Sequence, residues 1–179
     1  MSEYLFLSSD MPLESIDYTK SELLSIEEAE ARKIPMPDWY YKEMLISRTD
    51  KILIYAPDDS YFDEIQIWDK GDSAFAKKYS SKKYHAGLQW HYSDLRAAQL
   101  IAYMAEHLKN GREIELWKVW LDSKFEARPT KKMCSIESLS ISDILEFCEH
   151  SVLGFDLPQI LRDAGYKAEG RPYCLVVSR

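Results

Sequence analysis

Residues 86–121 place a strand, a capped helix and a second strand in immediate succession, and this unit limits the possible folds more than any other stretch. Ala86 to Tyr92 alternates, with Leu88, Trp90 and Tyr92 on one face and Gln89 and His91 on the other, which predicts a strand. Ser93 and Asp94 offer helix-capping oxygens. At about 100° per residue, Ala97, Leu100, Ile101, Met104, Ala105 and Leu108 then cover one side of a helix over 93–109. Arg96, Gln99, Tyr103, Glu106 and His107 cover the other side. Asn110-Gly111 is expected to stop this helix in a left-handed turn, and residues 113–121 return as a long aromatic strand.

The remaining elements follow from shorter signals. Tyr4 to Ser8 is continuously apolar, which predicts a strand buried on both faces. Ser25-Ile-Glu-Glu28 is a capping box opening a helix that Pro35 should stop. Residues 38–46 suit a short helix or a strand equally. Strands are predicted at 51–55, 64–68, 131–136 and 173–177, with a short helix from Asp72-Ser73 through Tyr79. Ser140-Ile-Ser-Asp143 is a second capping box, followed by Ile141, Ile144, Leu145 and Cys148 at helical spacing. A further short helix is expected over 158–164.

From residue 86 the order is strand, helix, strand, strand, helix, strand. That βαββαβ order resembles the ferredoxin-like pattern, in which two helices pack on one face of an antiparallel sheet. The expected class is therefore α+β, a mainly antiparallel sheet with helices on one face and ferredoxin-like order in 86–179. Residues 4–80 run in nearly the same order, which raises a fused pair of such units. The chain is read as a single domain over 1–179, with 1–84 and 85–179 as candidate subunits sharing one sheet. Strand neighbours expected at 51–56 with 64–69, and at 113–121 with 131–137, argue against a doubly wound parallel sheet.

With 46% apolar and 13% aromatic residues, 179 residues can bury a core without metal or disulfide staples. Cys134, Cys148 and Cys174 are an odd number, lack a CxxC pair and sit among apolar residues, so they read as buried thiols. Nothing approaches the roughly 20 apolar residues of a membrane span. The opening residues lack the basic and hydrophobic regions of a secretion signal, so a cytoplasmic location is expected. The net charge of −7 is uneven, because residues 1–64 hold 15 Asp and Glu against 6 Lys and Arg. Such a surface repels phosphate backbones, making nucleic acid an unfavourable partner, and it suits a protein partner with a basic surface.

Chemistry-bearing motifs are few. His91-Tyr92-Ser93-Asp94 lies where a strand meets a helix N-terminus; His91 is a candidate general base and Arg96 a candidate anion ligand. Ser93 and Asp94 are equally explained as caps. His85, His91, His107 and His150 show no HxH or HExxH spacing, so no metal is expected. Without GxGxxG, GxxxxGK[ST] or GxSxG, no cofactor is expected either. Lys77, Lys78, Lys82 and Lys83 read as a solvated basic run. Trp117 and Trp120 differ by three positions on one strand, so they face opposite ways and one is a candidate anchor for a partner. The resulting expectation is a non-catalytic protein-binding protein, of inhibitor (immunity-type) or adaptor character, using Glu27, Glu28, Glu30, Trp117 and Trp120. The alternative is a small enzyme or ligand-binding module with a pocket at the His91–Arg96 turn.

Overall fold

The computed structural model describes residues 3–35, 47–58, 64–68, 73–89, 91–120, 128–150 and 171–179. Segment 38–46 with Trp39, the residue Trp90 and the helix expected at 158–164 lie outside these. The strands are β1 (Glu3–Ser9), β2 (Ile16–Asp17), β3 (Glu22–Leu24), β4 (Leu53–Tyr55), β5 (Gln66–Trp68), β6 (Tyr84–Gln89), β7 (Glu113–Trp120), β8 (Thr130–Ser135) and β9 (Tyr173–Ser178). The helices are α1 (Ile26–Ala31), α2 (Ser73–Ala76), α3 (Asp94–Leu108) and α4 (Ile141–Glu149). The chain divides into two compact units: one of Met1–Tyr18 with Ile65–Arg179, and one of Thr19–Glu64. Among the described residues no helix is long and apolar enough to cross a membrane.

The larger unit is built on a seven-stranded sheet in the order β2-β5-β6-β1-β7-β9-β8, antiparallel except for β8 with β9. The architecture is thus mixed α and β, with one large, mostly antiparallel sheet and few helices. The continuous apolar run of β1 explains its central place: Phe6 and Leu7 are fully buried and face opposite sides of the sheet. Because β1 runs antiparallel to both β6 and β7, those two are parallel to each other, and α3 is the crossover between them. α4 is likewise the crossover between the parallel pair β8 and β9.

Three expectations are corrected by this topology. β1 and not β8 lies between β6 and β7, and β9 separates β7 from β8, so the ferredoxin-like spatial order is not adopted although the order along the chain matches. β4 pairs with β3, β5 pairs with β2 and β6, and β9 lies between β7 and β8, so among the described residues neither expected strand neighbourhood forms. The helices are also not confined to one face. α3 and α4 pack Ala97, Leu100, Met104, Leu108, Ile144 and Phe147 on the side of Leu5, Leu7, Leu116 and Leu175. The opposite side, carrying Phe6, Trp117, Val119, Cys174 and Val176, is packed against Phe75 and Ala76 of α2 and against Tyr79. Strands covered on both faces are buried at consecutive positions, which is what β1, β7 and β9 show, and the buried polar groups among them, such as Glu115 and Lys118, are hydrogen-bonded.

Helix ends follow local chemistry. Ser93 accepts from the Arg96 N–H at 3.2 Å and caps α3. At the other end the last turn tightens, with Lys109 N–H donating to Glu106 O. The left-handed turn expected at 110–111 is not taken; a Cβ on Gly111 would lie only 3.3 Å from the His107 carbonyl oxygen, so packing explains this glycine. Gly87 likewise receives the Trp68 indole, which a Cβ would meet at 2.5 Å.

Candidate binding surfaces

In the unit Thr19–Glu64, the Ser25 hydroxyl accepts from the Glu28 N–H at 3.1 Å, and the Glu28 carboxylate accepts from the Ser25 N–H at 2.8 Å. That reciprocal bond, with Lys51 Nζ at 3.2 Å, holds the Glu28 carboxyl below the usual range. Glu30 pairs with Arg48, Glu22 with Arg32 and Glu64 with Lys20. Among the described residues Glu27 makes no ion pair and is exposed. The three predicted binding acids therefore share one short helix but not one role: Glu28 and Glu30 are engaged within the unit, and Glu27 faces solvent.

The β3–β4 hairpin of this unit has two unlike faces. Leu24 is buried along with Ile26 and Ala29. Leu23 and Ile54, direct cross-strand partners, are instead 53% and 68% exposed. No sequence signal separated this pair from the other apolar residues, because which face of a two-stranded ribbon is covered depends on the helix beside it.

At the β6–α3 turn the structure brings His91 and Arg96 together through the backbone. Arg96 is buried, at 6% exposure, and its Nη1 donates to the His91 carbonyl oxygen at 2.7 Å. Its guanidinium thus fastens the turn through a backbone carbonyl. The Tyr92 hydroxyl donates to Asp94 at 2.7 Å, which pushes its pKa up to about 12. A cleft of about 180 Å³ does open here, lined by Glu3, Leu5, His91, Tyr92, Lys118 and Cys148. Its buried cation is Lys118, which sequence reading missed; Lys118 Nζ donates to the Cys148 carbonyl oxygen and lies 3.4 Å from Glu3.

Trp117 and Trp120 face opposite sides of β7, as spacing required, but Trp117 is fully buried. It stacks on Phe6 with ring centres 5.9 Å apart, donates from Nε1 to Glu115 at 2.8 Å, and lies 5.3 Å from Lys131 Nζ. Trp120 is half-buried against the core beneath α3 and α4. The sheet face that carries Trp117 is therefore a second core layer. All three cysteines are free thiols; burial raises the Cys174 pKa, and Cys134 and Cys148 are only half-buried. Among the described residues no cluster of three or more His, Cys, Asp or Glu is placed to hold a metal ion. Comparison of the chain with family models, curated proteins and solved structures found no match.

Proposed function

We propose that the protein is a non-catalytic protein-binding protein whose partner presents a basic surface to the unit Thr19–Glu64. The observation that carries this reading is the cross-strand pair Leu23 and Ile54, 53% and 68% exposed on that unit. The unit holds eleven Asp and Glu against six Lys and Arg. Paired apolar side chains left open within an acidic surround suit a contact with an apolar centre and a charged rim. Four of its cations are already paired within the unit, so the excess negative charge is what a partner would meet. An inhibitor of a basic protein and an adaptor both belong to this class.

A photo-crosslinking residue at position 54 captures the partner, and surface-plasmon kinetics then test the roles. Glu27→Lys should slow association several-fold at low salt and have little effect at 1 M, where the Debye length is about 3 Å. Leu23→Ser with Ile54→Ser should mainly speed dissociation, as loss of an apolar contact centre does. Circular dichroism verifies that each variant is folded. Association and dissociation both unchanged would overturn the reading. Glu28→Lys is a poor probe, because it also breaks the α1 capping box.

A second reading, a ligand-binding module, draws support from the cleft in which Lys118 and His91 both stand. Under it, Lys118→Met and not an Arg96 variant should abolish binding of a small carboxylate, measured by calorimetry.

A further inference from the structure

Alongside α3 lies a larger cavity, of about 670 Å³, between that helix and the segment joining β1 to residue 18. Its volume is in the range of small-molecule pockets, roughly 300–1,000 Å³. Two fastenings hold the segment against the helix. The Tyr103 hydroxyl donates to the Glu14 carbonyl oxygen at 2.9 Å. Ser9 Oγ lies 2.7 Å from His107 Nε2 and also accepts from the Met11 N–H at 3.1 Å. The groove is therefore shaped before any ligand arrives, which lowers the ordering cost of binding.

Its walls combine apolar and aromatic residues, including Met11, Ile16 and Tyr18, with the acidic residues Glu14 and Glu106. Tyr18 is half exposed, leaving its ring open to contact. Burial pushes the Tyr103 hydroxyl up to about 12 and pulls His107 below its ordinary value, so both are neutral near pH 7. The charges lining the groove are then both negative. Lys109 pairs with Glu106, but both are largely exposed, and such a pair is weak enough for a ligand to displace.

We propose that this groove binds an organic cation, a primary amine or guanidinium carried on an apolar or aromatic body. The body takes the Met11 and Ile16 wall, and the cationic head lies between the carboxylates with a tyrosine ring beside it. An anion of the same size meets like charge and is rejected. The site is separate from the surface proposed on Thr19–Glu64 and stands or falls without it.

The test uses three probes of one shape, phenethylamine, 2-phenylethanol and 3-phenylpropionate, titrated into the ¹⁵N-labelled full chain and followed by amide chemical shifts. Phenethylamine should move the amides of Tyr18, Ala102, Tyr103 and Asn110. The alcohol should bind about tenfold more weakly, and the carboxylate should leave those amides unmoved. Glu14→Gln with Glu106→Gln, both at exposed positions, should weaken phenethylamine about tenfold while the rest of the spectrum stays that of the folded protein. The proposal is overturned by equal binding of carboxylate and amine, by unchanged amine affinity in the double variant, by shifts confined to other surfaces, or by no shift at about 10 mM amine, a ceiling on even a weak fragment site.

Discussion

At the scale of single residues, two buried charged side chains fasten the fold through hydrogen bonds. Arg96 donates to the His91 carbonyl oxygen, and Glu115 accepts from both Ser80 and Trp117 within the second core layer. Removing one partner from a buried polar pair leaves the other without water or a substitute, which costs about 1–3 kcal/mol. Arg96→Ala should therefore lower stability by about that much, whereas His91→Ala, at an exposed side chain, should stay within about 0.5 kcal/mol of the parent. Urea unfolding midpoints at equal slope measure both. The reverse order would restore Arg96 to a surface role.

At the scale of elements, the capping boxes at Ser25 and Ser140 were legible because each is closed by residues three apart. Ser25→Ala and Ser140→Ala should each cost about 0.5–2 kcal/mol by leaving a first-turn N–H unpaired. Thermal unfolding followed by far-ultraviolet circular dichroism is the readout, and neutrality at both sites would remove the cap assignments. The α3 stripe was legible too, with one shift. Leu100 and Met104 are fully buried, while Ile101 is only half-buried at the edge of the core. Arg96 joins the buried side because its head reaches a backbone carbonyl, which a hydrophobicity pattern does not register.

At the scale of the molecule, stability should depend on pH through three histidines. Burial lowers the pKa of His85, His107 and His150 below the ordinary value near 6.5. The unfolded chain then binds protons more readily than the folded one, so stability is full above about pH 6.5 and falls as pH drops toward the folded values. His85, with Nδ1 on Ser8 and Nε2 buried with no hydrogen-bond partner among the described residues, should contribute to this slope. Asp143 acts in a separate, more acidic window. The Ser140 hydroxyl and Lys132 hold it at about 2, so its contribution is present above 3.8 and lost as pH falls through about 2. Denaturant midpoints between about pH 5 and 8 should fall with acidity, and His85→Phe should flatten that fall. A flat parent profile would contradict the buried-neutral state.

What the sequence determined by itself is local: helix starts, the opposed faces of Trp117 and Trp120, and the double-sided burial of β1. Each depends on spacing within a few residues, so the chain carries the information without its partners. The alternation expected over 86–92 is not what β6 shows, since its residues 85–88 are buried in succession. Only the tertiary structure decided which strands pair and what covers each face. β1 reaches residues 84–88 on one side and 114–120 on the other, and that choice placed it in the gap between β6 and β7 that a ferredoxin-like order would fill with β8. It also turned an aromatic face into a second core layer beneath α2, and it set Glu14 and Glu106 along one groove. Strand pairing and roofing are selected by the total apolar surface buried among distant segments, and no local pattern encodes that sum.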